Sequence, residues 1–526
     1  MGPTSFDIRY NAVNGVPACL SGAMINGVLR KNWKFDGFVV SDCDAISDGA
    51  TSAYIARNFN GTAQRLLQVQ AQQALRGGTD LNCGSLYGEQ TAGAVQAGLL
   101  SEADLDVSLE RVYTKAFQLG ILDAASQTAG HKNPNPYSRL GADAVDAPAS
   151  RALAMEGALQ GQVLLKNDDR RLPLDAGRVR KLALIGPHAN GSTVFLGGGN
   201  YHGFNELVDE YTPLLRARAK LGPGAEVVYE QGCDLSNTSK AGFAAATAAA
   251  ADADTVIIFL GTDGTIENEG HDRDSIELPG VQADLALAVA DAASAPVVVV
   301  LVNGGTLAIR ELKESPKVGA ILEAFLPGQF GAEAVLDLLL GASSPSGLLP
   351  VTVYDTDFTS RRPITNLALR EAGGVTYRYY EGVPLWPFGF GMSYADFYFR
   401  GDPAAILHTT VAEAENTPLC FGVTVSNAAT ASFTADVVVL GFISSDHVDA
   451  PANSKLCDFS REAAVSPGTT RDVKVCANGL HSALLLVDAN GSQRVQPGNY
   501  TITVGVKGGV GGAGAGAVVG TVIIEP

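Results

Sequence analysis

A chain of 526 residues with 46% hydrophobic and only 17% charged residues is folded, with sequence for about three domains of roughly 150 residues each. Its formal charge of -18 argues against nucleic acid or an anionic membrane surface as partner and suits a neutral substrate. Seven cysteines are too few for a disulfide scaffold and contain no CxxC pair with zinc spacing, and their odd count leaves at least one thiol unpaired; no metal or cofactor is expected. No window has the roughly 18 uncharged apolar residues of a membrane span, and no signal peptide is visible in MGPTSFDIRY. Five Asn-x-Ser/Thr sequons, starting at Asn60, Asn190, Asn237, Asn490 and Asn499, suit a secreted glycoprotein.

Residues 1–125 read as alternating strands and helices. The segments 7–13, 38–41 and 79–83 have strand character, while 19–31, 62–76 and 102–119 carry helical periodicity, which together imply a parallel sheet. The central stretch is WKFDGFVVSDCDAI at 33–46: a short apolar run stops abruptly at Ser41, Asp42, Cys43 and Asp44. In α/β proteins a side chain at the C-terminal end of a strand faces the ligand crevice, where a carboxylate serves as nucleophile, base or metal ligand. The alternative for Asp42 is a helix N-cap or an Asx turn. Cys43 and Cys83 follow two consecutive strands, which in a parallel barrel lie about 4.8 Å apart, so they form either a disulfide or two unpaired thiols.

The Pro/Asn/Ala-rich segment HKNPNPYSRLGADAVDAPA marks a linker over 126–150. A second α/β domain is expected over 151–398. Its GPHANGS and FLGGGNYHG runs match neither a dinucleotide fingerprint nor a P-loop. Its strand TVIIFLG at 255–261 runs into the acid-rich loop DGTIENEGHDRDSIELPG, in the place where open sheets bind ligands. The plain reading of that loop is a solvated one in which Arg273 pairs with Asp272 or Asp274, and His271 has no second histidine with which to build a metal site. Tyr377, Tyr379, Tyr380 and Trp386 have the chemistry to stack on sugar, but an aromatic-rich stretch is more often core. From 399 to 526 the period becomes two, in FGVTVSN, ADVVVLGFI, RDVKVCA and GNYTITVGV, as in a β-sandwich, with a Gly-rich hairpin near 508–516.

Taken together, YNAVNGVPAC, GFVVSDCDAI, TDLNCG and GLLSEADLD resemble, in order, the C-terminal part of the (β/α)8 barrel of glycoside hydrolase family 3, in its β-xylosidase and α-L-arabinofuranosidase branch. The later VLLKND and IGPHAN resemble that family's α/β sandwich domain, and the last region its fibronectin-III-like domain. The resemblance implies a retaining exo-glycosidase acting on xylan-type oligosaccharides, outside the cell or in the cell wall. Asp42 maps onto the nucleophile and Tyr10 onto a tyrosine that supports it and touches sugar. Cys43, where many β-glucosidases have Trp, points to the pentosidase branch and a place beside the substrate. Glu269 best matches the acid/base of the EGxDR segment, with Glu267 the close alternative and otherwise a substrate contact. One departure is large: the resemblance begins about two-thirds of the way round the barrel and shows no Lys-His segment. Three strand units cannot close a barrel, so the chain as written is expected to expose apolar surface and turn over poorly. The competing reading is an inactive homologue with a glycan-binding or structural role, distinguished by release of xylose or arabinose from aryl glycosides.

Overall fold

The computed structural model describes residues 5–121, 141–191, 193–196, 211–268, 271–478, 483–505 and 517–526. They form two compact units, Met1–Val145 and Asp146–Pro526. The expected linker over 126–150 lies largely, and the Gly-rich hairpin wholly, outside the described residues.

In the first unit, strands Ser5–Ile8 and Phe38–Ser41 pair in parallel, and a parallel bridge joins Val40 to Leu81. The expected third strand is thus only a bridge, and the first is shorter than its apolar pattern suggested. The periodic segments form helices at Ala23–Asn32, Ala63–Gly77 and Glu102–Gln118. The second of these stops because Gly78 adopts φ 106°, a left-handed cap that only glycine takes without strain. Two further helices, Gly49–Asn58 and Leu86–Gln96, carry weak helical signals. Asp48 starts the former, its carboxylate accepting the Thr51 N–H at 2.6 Å.

A buried carboxylate ties this unit together. The Asp80 side chain is fully buried and accepts from Val39 N (2.8 Å), Ser108 Oγ (3.1 Å), Arg111 Nη1 (2.8 Å) and the Arg30 guanidinium. Two cations and two further donors satisfy the charge that burial would otherwise make prohibitive. Asp80 therefore joins two helices to the sheet.

The second unit is built on a six-stranded sheet in the order Val163–Asn167, Val318–Glu323, Val297–Val302, Thr255–Gly261, Lys181–Ile185 and Glu226–Glu230. All neighbours run parallel except the antiparallel first pair. Every residue of Thr255–Gly261 and Val297–Val302 is buried. Along the former, Val256, Ile258 and Leu260 enter one core and Ile257 and Phe259 the other, the pattern of a strand covered on both faces.

The rest of this unit is a β-sandwich. A sheet of Phe397–Arg400, Cys420–Asn427 and Thr470–Cys476 packs on one of Ile406–Thr410, Ala517–Glu525, Gly498–Val504, Ala435–Ser445 and Lys455–Val465. Cys420 and Cys476 face each other across an antiparallel pair and are disulfide-bonded. Trp386 is 2% exposed and donates its indole N–H to Leu165 O at 3.0 Å, and Tyr380 is buried with it, as core aromatics.

Candidate active site

Asp42 follows directly on strand Phe38–Ser41, and its own N–H donates to Ile8 O of the neighbouring strand at 2.8 Å. The backbone of Asp42 thus continues the parallel ladder while its side chain leaves the sheet. Its Oδ1 accepts the Cys43 N–H at 2.8 Å and its Oδ2 lies 3.3 Å from Arg9 Nη1, with 21% of the side chain exposed. No helix N-cap is made: the next helix is capped by Asp48.

The loop that carries Asp42 is fixed on three sides. Tyr10 donates its hydroxyl to the carbonyl of Cys43, Asp44 donates its N–H to Cys83 O at 2.6 Å, and Cys43 is disulfide-bonded to Cys83, with Cα atoms 4.3 Å apart. Cys43 thus presents a bonded sulfur and an accepting carbonyl, and no thiol. Tyr10, Asp42 and Cys43 are brought together as expected. Arg9 was missed, although it is the polar residue that directly follows the neighbouring strand and precedes Tyr10.

In the second unit the acid loop leaves strand Thr255–Gly261 at Gly261. A Cβ there would lie 1.9 Å from Val302 O, so only glycine lets the two strand ends approach. Glu269 lies outside the described residues. Glu267 is described and fully committed: Oε2 is 2.6 Å from Arg273 Nε, while Oε1 accepts Gly305 N at 2.8 Å and Thr262 Oγ1 at 3.3 Å. The expected pairing of Arg273 with Asp272 or Asp274 is therefore corrected. Arg273 reaches back to Glu267, because that pair is largely shielded, with side chains 12% and 18% exposed, and a shielded pair attracts more strongly than one in solvent.

Behind this pair lie polar groups that the strand pattern concealed. Asn303 donates to Gly305 O at 2.9 Å and lies 3.4 Å from Glu323 Oε2. Glu323 is 3% exposed, and its only other partner among the described residues is Phe325 N at 3.0 Å. Burial without a cation pushes its carboxyl up to about 8. His188 is buried with Nε2 against Thr262 O at 3.1 Å, and burial lowers it to about 4. The signal for Glu323 was an acid closing an apolar run, VGAILEAF.

The unit that carries Asp42 matches the description "Glycosyl hydrolase family 3 N terminal domain" over residues 5–115, and residues 162–394 match "Glycosyl hydrolase family 3 C-terminal domain". Beta-D-xylosidase 1 of Arabidopsis thaliana is 37% identical over 392 residues, 74% of this chain and 48% of that protein. A probable exo-1,4-beta-xylosidase of Aspergillus clavatus is 36% identical over 516 residues, 94% of this chain and 63% of that protein. A solved GH3 exo-beta-xylosidase (XlnD) in complex with a xylobiose aziridine activity-based probe superposes with a TM-score of 0.86 at 28% identity, over 99% of this chain and 66% of that one. The chain thus spans about half to two-thirds of the length of the relatives it matches. With two consecutive domains matched in order, and relatives more than a third identical aligned along most of its length, the chain belongs to glycosyl hydrolase family 3.

Proposed function

We infer that this chain carries the chemistry of a retaining exo-glycosidase that removes terminal β-D-xylosyl, or α-L-arabinofuranosyl, residues from xylan-type oligosaccharides. The observation that carries the reading is Asp42: a partly exposed carboxylate at the end of a parallel strand, on a loop held by Tyr10 and a disulfide. Retaining hydrolysis needs an ionised carboxylate to attack the anomeric carbon and a protonated one to give the leaving oxygen its proton. Asp42 takes the first role: its two oxygens lie against the Cys43 N–H and Arg9, which hold the carboxylate in place. A loop fixed in place keeps the attacking oxygen aimed, which matters because a misplacement of about 1 Å costs on the order of a hundredfold.

Glu269 takes the acid/base role, first protonating the leaving oxygen and then removing a proton from the water that hydrolyses the glycosyl-enzyme. Glu267 suits that role less well, because its oxygens already accept from Arg273, Gly305 and Thr262. Its part is to hold the loop on which Glu269 sits.

A location outside the cell is supported by the disulfides Cys43–Cys83 and Cys420–Cys476, which persist in oxidising compartments. All five sequon asparagines are exposed, as glycosylation requires, and the β-sandwich has the strand periodicity of a fibronectin-III-like module. Among the described residues no helix is long and apolar enough to cross a membrane.

The test is a pre-steady-state burst with 2,4-dinitrophenyl β-D-xyloside and its α-L-arabinofuranoside counterpart. The reading predicts release of about one equivalent of dinitrophenol per chain as the glycosyl-enzyme forms. A folded chain that gives no burst with either substrate contradicts it.

A further inference from the structure

Strand Val297–Val302 ends in the turn Asn303-Gly304-Gly305, and the shape of that turn decides where the acid loop can rest. A Cβ at Gly304 would lie 2.9 Å from Glu267 Oε1, and one at Gly305 would collide with Arg273 Nη2. The two glycines thus let the Glu267–Arg273 pair lie flat against backbone. Gly305 N donates to Glu267 Oε1 at 2.8 Å, and Thr306 O accepts from Arg273 Nη2 at 3.3 Å.

The turn is braced from its other side. Asn303 is fully buried and holds the turn closed, its Nδ2 donating to Gly305 O at 2.9 Å. The same Nδ2 lies 3.4 Å from Oε2 of Glu323, the last residue of the adjacent parallel strand. Glu323 Oε1 accepts the Phe325 N–H at 3.0 Å, which holds Phe325 at φ 52°, a left-handed conformation rare for a bulky side chain. Leu326 then packs on the turn, its Cδ1 3.7 Å from where a Cβ of Gly304 would stand. One carboxyl therefore braces both the turn and the segment packed against it.

Among the described residues no charged group sits against that carboxyl. Its partners on the flanking strands are Val163 and Leu301. At the neighbouring strand ends Glu267 is paired with Arg273, His188 faces Thr262 O, and Asp263 accepts from Thr265. On helix Gly331–Leu339, Glu333 and Asp337 are paired with Arg216 and Lys220. Helix Pro148–Gly161 turns only Ala and Gly towards the segment that follows Glu323.

We propose that Glu323 is a positioning residue for the acid loop, bracing the turn on which the Glu267–Arg273 pair rests, on either side of Glu269 in the sequence. Buried without a cation, it does so as the neutral acid. Opening the loop to solvent lets the carboxyl lose its proton, so closure of the loop is coupled to pH. The bracing stands on the geometry alone; its bearing on proton transfer rests on the glycosidase reading above.

Hydrogen exchange read by mass spectrometry on the 526-residue chain follows the loop directly. In the wild type, protection of the amides in 262–268 and 303–306, corrected for the intrinsic pH dependence of exchange, should fall by up to about tenfold per pH unit between pH 4.5 and about 8 and then level off. Glu323→Gln keeps an acceptor for Phe325 N but has no proton to lose, and should make that protection independent of pH. Protection that ignores pH in the wild type, or follows it equally in Glu323→Gln, overturns the proposal. In a chain that turns over, Glu323→Ala should slow methyl β-D-xyloside, whose leaving group needs a proton, by about tenfold or more, and 2,4-dinitrophenyl β-D-xyloside by less than about twofold. Equal losses on the two substrates overturn the positioning role. An inactive chain whose loop still follows the Glu323 proton supports the bracing and counts against the glycosidase reading alone.

Discussion

The two units each hold a parallel sheet with acidic residues at or beyond its strand ends, but they build it differently. In the second unit the strands Thr255–Gly261 and Val297–Val302 are buried throughout, with a hydrophobic core on each face. In the first, strand Ser5–Ile8 buries only Ile8, and Phe6 and Leu81 remain 39% and 42% exposed. The first unit compensates with specific ties: the Asp80 ion cluster, the Cys43–Cys83 disulfide and the Tyr10 hydrogen bond. A thick apolar core positions the Glu267 loop, whereas polar and covalent links position Asp42.

That contrast is sharpened most by kinetics. Glu269→Ala should slow substrates with poor leaving groups by about 10²- to 10⁴-fold and barely affect activated aryl glycosides, with azide rescuing the latter. Glu267→Ala should instead lower stability by about 3 kcal/mol, because it leaves the Arg273 guanidinium shielded and unpaired. A leaving-group dependence confined to Glu267→Ala would reverse the two roles.

Stability separates the sheets next. Ile258→Ala, in the fully buried strand, should cost about 2–5 kcal/mol in denaturant unfolding. Phe6→Ala should cost about 1 kcal/mol, since Phe6 is half-exposed and meets Phe35 only edge-on, with ring centroids 6.2 Å apart. Equal losses would mean that the first sheet is covered as well as the second. Between these, replacing Cys43 and Cys83 together by Ser should cost about 2–4 kcal/mol and leave the unfolding of the second unit in place.

A further difference is in pH dependence. Glu323 is raised from its ordinary 4.5 to about 8, so the folded protein holds a proton that the unfolded chain has lost. Its contribution is full below pH 4.5 and is lost as pH rises through about 8, with a slope of up to about 1.4 kcal/mol per pH unit. His188 has the opposite sign: lowered from 6.5 to about 4, its contribution is present above 6.5 and is lost as pH falls through about 4. Glu323→Gln should flatten the stability profile between pH 4.5 and about 8 and leave it unchanged below pH 4.5.

How much of this was legible in the sequence follows the same division. Strand 255–261 was readable to the residue, because an unbroken apolar run between turns has one interpretation in a large α/β chain. Asp42 was readable because the run before it ends sharply. Helix Gly49–Asn58 was not, since its sequence GATSAYIARN has weak propensity and depends on the Asp48 cap. The role of Asp80 was not readable, because nothing local in the sequence shows that two arginines from distant helices meet it. Arg273 failed for the same reason: sequence proximity favoured Asp272 and Asp274, while folding returned it to Glu267.

The most direct test of the central claim is covalent. A 2-deoxy-2-fluoro-β-xylosyl fluoride slows hydrolysis of the glycosyl-enzyme and leaves the sugar on the nucleophile, where peptide mass spectrometry locates it. The adduct is predicted on Asp42, in the peptide that contains FDGFVVSDCDAISDGATSAYIAR, and Asp42→Asn should abolish it while the fold persists. An adduct on any other carboxylate, or labelling of Asp42→Asn at an unchanged rate, would contradict the assignment.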